Sequence, residues 1–202
     1  AHGVAARRVG APANAYRPAG PASPLVDINR FLRLHAAFSA PDGRFRRPNG
    51  YGDALWHGYF DSAYTLPGDY LVQAAGTWFI AAQQPLLPVL CVAANRTVSF
   101  LRPASPAGIG VNAYGGVSKA SAQLLLTAWP ASVLTTTVSS RPAADLPADS
   151  VAAGWTVLLP VSATITLRTA DLMTDDLGRT GIVASAELTD LGWRLAVRQV
   201  ST

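Results

Sequence analysis

The sequence predicts an all-β protein: two small tandem β-barrel- or sandwich-like units with an extended N-terminal arm. Three observations carry that expectation. Apolar and β-branched runs recur in short bursts bounded by Gly, Pro and Asp, and almost no segment repeats apolar residues at helical spacing. A hairpin-like pattern that opens at Asp69 and turns at Gly76 recurs 102 residues on, at Asp171 and Gly178. The leading residues, "AHGVAARRVGAPANAYRPAGPASP", are Ala, Pro, Gly and Arg without an apolar period.

Taken in order, residues 1–24 are expected to be an extended basic arm, reaching up to about 80 Å at ~3.3 Å per residue. Residues 25–104 are expected to form the first β domain. In it "LVDINRFLRLHAAF" reads as a short helix or an edge segment, "ALWHGYFD" alternates large and small residues, and "TWFIAA" and "VLCVAANRTVSFLRP" are β-rich. Between them "SAPDGRFRRPNGYGD" is turn chemistry carrying Arg44, Arg46 and Arg47. Residues 105–120 are a Gly-rich connector. Residues 121–202 are expected to form the second β domain, from "QLLLTAWPASVLTTTV", "GWTVLLPVSATITLR", "RTGIVASAEL" and "GWRLAVRQV".

The repeat sets "GDYLVQAAGTWFIAA" over "ADLMTDDLGRTGIVA". Ile80 then falls on Ile182, Ala82 on Ala184 and Leu86 on Leu188, while Trp56 and Trp155 lead matching apolar strands upstream. The physical reading is one hairpin used twice. The Asp accepts from backbone N–H groups where the strand begins, and the Gly supplies a positive φ at little cost. The first copy continues into "QQPLLP", which the second lacks. Pro85 and Pro88 restrict pairing there to an edge or a break, and an apolar edge needs a cover. Gln83, Gln84, Pro85, Leu86 and Pro88 are therefore candidates for a surface that a neighbouring subunit covers.

Half of the residues are hydrophobic and 14% are charged. No window approaches the ~18 uninterrupted apolar residues of a membrane span, so no membrane anchor is expected. So low a charge content suggests that partners cover much of the surface. The single cysteine, Cys91, excludes an intramolecular disulfide and reads as a buried thiol in a reducing compartment. Charge is concentrated at the start. Residues 1–50 hold eight arginines against Asp27 and Asp42, a net of +6, and the remainder nets −2. Such a segment is expected to dock on an acidic surface or on nucleic acid, which makes Arg7, Arg8, Arg17, Arg44, Arg46 and Arg47 candidate partner or DNA contacts.

Catalytic chemistry leaves few traces. There is no GxxxxGK[ST] loop, CxxC, HExxH, GxSxG or EF-hand spacing, and "GIGVNAYGG" lacks the spacing of a dinucleotide fingerprint. His2, His35 and His57 are scattered, and His57 beside Trp56 reads as a core or interface histidine. Asp175 and Asp176 read as turn residues. No catalytic residue, cofactor or metal is expected.

Three stretches, "GDYLVQAAGTWFIAAQQPLLPVLCVAANRTVSFLRP", "YGGVSKASAQLLLTAWPASVL" and "DLMTDDLGRTGIVASAELTDLGWRLAVRQV", resemble a family of tailed-bacteriophage virion proteins encoded among head and tail structural genes. The resemblance runs from about residue 16 to the end. The hairpins also resemble the small β-barrels of head-tail joining, or stopper, proteins. The resemblance implies a non-enzymatic, ring-forming subunit of the virion neck or tail, made in the bacterial host cytoplasm. Its implied partners are copies of itself, portal, adaptor or tail proteins, and packaged DNA. Two other expectations stand beside it. A carbohydrate or cell-envelope binding module of a tail tip would expose Trp56, Tyr59, Tyr64 and Trp78 on one face. A hydrolase would bring two of Asp175, Asp176 and Glu187 into one cleft.

Overall fold

The computed structural model describes residues 2–40, 54–103, 122–136, 154–161 and 165–200. Arg44, Arg46, Arg47 and the expected connector at 105–120 lie outside them. Among the described residues one short helix, α1 (His2–Val9), is followed by twelve strands. The first barrel comprises β1 (Ala11–Tyr16), β2 (Arg30–Ser39), β3 (Leu55–Tyr59), β4 (Tyr70–Gln73), β5 (Gly76–Ala82) and β6 (Val89–Ala94). The second comprises β7 (Arg96–Arg102), β8 (Gln123–Thr136), β9 (Gly154–Leu159), β10 (Leu172–Asp175), β11 (Thr180–Thr189) and β12 (Gly192–Gln199). The all-β, two-unit expectation therefore holds.

Strand order is β1-β2-β3-β6-β5-β4 in the first barrel and β7-β8-β9-β12-β11-β10 in the second. Antiparallel pairing of β1 with β4, and of β7 with β10, closes each sheet on itself. Closure removes the unpaired edges that an open sheet must protect.

Two expectations change and a third is narrowed. The leading segment is not an extended arm: residues 2–9 are helical and residues 11–16 are a barrel strand. "VSFLR" is not the end of the first unit but β7 of the second, and only Asn95 separates β6 from β7. Of the edge or break expected at "QQPLLP", the structure has the break: these residues are the loop joining β5 to β6, and no edge strand.

The first barrel's interior combines small with large side chains. Ala13, Ala15 and Ala36 leave room for Phe60, Leu71, Trp78, Ile80 and Cys91. Gly58 is required there, because a Cβ would lie 2.7 Å from the Phe60 ring and 2.9 Å from the Cys91 sulfur. Burial pushes the Cys91 thiol well above its ordinary pKa, so it stays protonated and inert.

The two barrels match in register as well as in order. Leu71 faces Trp78 across β4 and β5 as Met173 faces Gly181 across β10 and β11. Each β1-type strand pairs with its neighbour through a bulge at the same place, Ala15/Tyr16 and Phe100/Leu101. Each β5-type strand does so too, at Ile80/Ala82 and Val183/Ser185. Trp56 and Trp155 are equivalent, opposite Cys91 and Val197. Asp69 and Asp171 also correspond, and the residue before each has positive φ, Gly68 at 98° and Ala170 at 72°. Beyond the turn the match shifts, because the second turn is one residue longer. Ile80 corresponds to Val183, not Ile182, and the alignments of Ala82 with Ala184 and Leu86 with Leu188 fall with it. A one-residue slip exchanges the faces of a strand, and the exposures agree: Ile80 is 1% exposed, Val183 0% and Ile182 39%.

The barrels share one core. Tyr70, Phe79, Ala81 and Val92 alternate with the interior residues of the first barrel and join the hydrophobic cluster of the second. The Tyr70 hydroxyl donates to the Pro130 carbonyl at 2.8 Å, and its ring meets Trp129 edge-on at 6.2 Å. Trp129 Nε1 donates to the Pro21 carbonyl at 3.0 Å. Burial raises the Tyr70 pKa well above its ordinary value. The unfolded phenol releases its proton near pH ~10 and the folded one does not, so the stability that Tyr70 contributes is present below pH ~10 and is lost as pH rises beyond it. Tyr70→Phe is expected to cost about 1 kcal/mol at neutral pH and to flatten the alkaline loss of stability, as urea titrations at pH 7 and above pH 10 would read.

Candidate functional site

The carboxylates of the repeat, Asp69 and Asp171, are each held in place by an arginine. Asp69 and Asp171, each 1% exposed, precede β4 and β10. Arg17, just past β1, grips Asp69 with Nε and Nη2, both at 2.8 Å, and Nη2 also donates to the Tyr64 carbonyl. Arg102, at the end of β7, grips Asp171 at 2.8 and 2.9 Å and donates to the Thr166 carbonyl. The backbone N–H groups of Leu66 and Arg168 complete the two sites, as expected for an Asp that opens a strand. The hydrogen bond to its Asp raises the pKa of each arginine, so both guanidinium groups stay charged. Sequence reasoning found the acids by their spacing but not their partners, which are 52 and 69 residues away.

The other acids are dispersed. Asp175 is buried in its turn, accepting from Leu177 N, Arg179 N and the Arg179 guanidinium. Asp176 lies 3.9 Å from Arg96, and Glu187 pairs with Arg194 on the surface. Each of the three expected hydrolase acids thus has a different arginine. Among the described residues no group of three His, Cys, Asp or Glu is placed to hold a metal ion.

The candidate contact residues separate into three places. Arg7 and Arg8 are exposed in the last turn of α1, where the helix dipole favours cations. Arg17 belongs to a clasp and lies 4.5 Å over the Phe31 ring. In the β5–β6 loop Gln84, Pro85 and Leu86 are exposed, Pro88 is half-buried, and Gln83 donates to the Thr65 hydroxyl at 2.7 Å. Leu86 is 95% exposed with φ 66°, a conformation that costs a branched residue energy.

Composition did not single out Arg30 and Arg33. They lie on β2 and line a shallow open hollow of about 520 Å³ with Asn14, Phe31 and Leu32, and have no carboxylate partner among the described residues. A second hollow, about 270 Å³, lies between α1 and β2, with Arg7, Arg33, His35 and Asp61 in its wall.

No protein-family model, curated protein or solved structure matches this chain. The aromatic platform expected of a glycan binder is not formed: Trp78 is buried, stacked on Phe38 at 4.0 Å and edge-on to Trp56. Of the four named rings only Tyr64, at 72%, is mostly exposed. Among the described residues no helix is long and apolar enough to cross a membrane.

Proposed function

We propose that the chain is a non-enzymatic structural protein of a tailed-bacteriophage virion, a subunit of the head-tail connector, neck or tail that assembles as a ring. One observation carries the reading. Two equivalent closed barrels are fused through one residue and a shared core, and the ion pairs of Asp69, Asp171 and Asp175 each tie down a turn instead of gathering in a cleft. Such a body suits carrying load and presenting faces. The sequence resemblance points to the virion. The arginine-lined hollows on β2 and beside α1 suit an acidic partner or packaged DNA.

The test is localisation of the tagged chain in assembled particles, by gold labelling and by cross-linking to portal, adaptor and tail proteins. Label at the neck or tail with cross-links to those proteins supports the reading. Particles lacking the chain, with a purified protein that stays monomeric and binds no virion component, would end it. A tail-tip glycan binder is the alternative, and burial of Trp78 with Trp56 packed against it counts against that alternative.

A further inference from the structure

Because the barrels are equivalent strand by strand, every face of one has a counterpart on the other. On the first barrel a row in register across four strands, Tyr16–Tyr70–Phe79–Val92, is buried in the shared core. The same row on the second barrel is Leu101–Leu172–Ile182–Arg198, and Leu124 lies opposite Leu101. Here Leu124 is 55% and Ile182 39% exposed, and Leu101 and Leu172 are half-buried. The second barrel thus leaves open an apolar row that the first barrel covers.

The opposite face is informative too. The first barrel lies against the β8 segment containing Pro130 and the buried Ser132. Pairing with β9 and β3 makes Ser132 equivalent to Ala37 and Pro130 to His35. On the first barrel that face carries α1. Ala6 is buried, the His2 ring lies 5.6 Å from Tyr59, which pairs with Ala37, and Gly10 abuts Ala36. The helix sits on the first barrel where the first barrel sits on the second. Its hold is light, since Ala6 is its one buried residue.

We propose that the row Leu124–Leu101–Leu172–Ile182 docks on a second copy of this chain, on the outer face of β2 and β3, in place of that copy's α1. The fused barrels already make this contact once within the chain, which argues for a barrel of the same kind as the occupant. Charge agrees. Arg198, at the end of the row, has no carboxylate partner among the described residues. Asp61, which lies against Gly3 of α1, has no cationic one among the same residues. Leu172 stands where Tyr70 stands and lacks its hydroxyl, so the contact between copies is weaker than the one within the chain. Donor and acceptor faces differ, so repetition closes a ring or extends a stack. The inference rests on the reading of a self-assembling subunit and names its surface.

The test uses full-length variants in sedimentation velocity and mass photometry, with circular dichroism confirming folding. Ala6→Glu, which expels the helix, is expected to shift self-association to at least roughly tenfold lower concentration, because a larger fraction of chains is then competent. Leu172→Arg is expected to abolish association, in the parent and with Ala6→Glu, and Ile182→Arg serves as a second block on the row. Ala37→Arg, which obstructs the receiving face, and Ala6→Glu/Leu172→Arg are each expected to be monomeric and to form one-to-one dimers when mixed. Folded row variants that associate like the parent, or a mixture that stays monomeric, would overturn the proposal. Virion localisation with unaffected row variants would sink the proposal and leave the functional reading standing. Complementing variants of a chain absent from particles would do the reverse.

Discussion

Trp129→Ala is expected to destabilise the protein by about 3–5 kcal/mol and to separate the unfolding of the two barrels. The indole is 1% exposed and stands at the junction, edge-on to Tyr70 and bonded to the Pro21 carbonyl. Truncation opens a void that neither closed barrel can collapse to fill, and loses the aromatic contact. Pro21 keeps one donor, Thr127 N–H at 2.9 Å, so the loss is mainly one of packing. At ~2–4 °C per kcal/mol for a chain of this size, the melting temperature should fall by roughly 10 °C. Scanning calorimetry should show one transition in the parent and a broadened or double one in the variant. A single sharp transition within a degree or two of the parent would mean that the junction contributes little.

Arg102→Ala is the second large effect, expected at about 2–3 kcal/mol. Breaking a buried ion pair by removing one partner typically costs ~3–5 kcal/mol, because the other charge is left buried and unpaired. Arg102 is partly exposed, its side chain at 26%, so solvent screening reduces the figure. Asp171 would keep only the Arg168 N–H, and the Thr166 carbonyl would lose its guanidinium donor. Lysine should rescue poorly, since it cannot reproduce the two-pronged grip. Arg17→Ala, at the more exposed copy of the clasp, should cost less. In urea titrations the double variant Arg102→Ala/Asp171→Ala should recover part of the single-variant loss. Strict additivity of the two replacements would show that the pair is not coupled.

The sequence revealed the repeat through Asp69 and Asp171, because each opens a strand of the same length, β4 and β10, so the match holds as far as the turn. The alignment slipped beyond the turn because an inserted turn residue leaves no mark on an apolar strand until inside and outside can be told apart. The first strand stayed hidden for a different reason. Ala13 and Ala15 face a narrow barrel that needs small side chains, so "APANAY" has no hydrophobic period to read. The division between units was invisible because β6, Asn95 and β7 form one continuous β-rich run. The surfaces that matter most in the present reading were also hidden. Arg17 finds its Asp, and Leu101 its neighbours Leu172 and Leu124, only once the sheets have closed.

Asn95 stands alone between β6 and β7, and its side chain mimics a strand. Its amide nitrogen donates to the Val133 carbonyl at 3.0 Å, and its oxygen accepts from Val133 N at 2.8 Å. The crossing residue is therefore stitched into β8, which makes the passage between barrels a splint instead of a swivel. A rotation imposed on one barrel would carry the other with it through this joint and the shared core. A partner gripping the first barrel would thereby fix the azimuth at which the second meets its own.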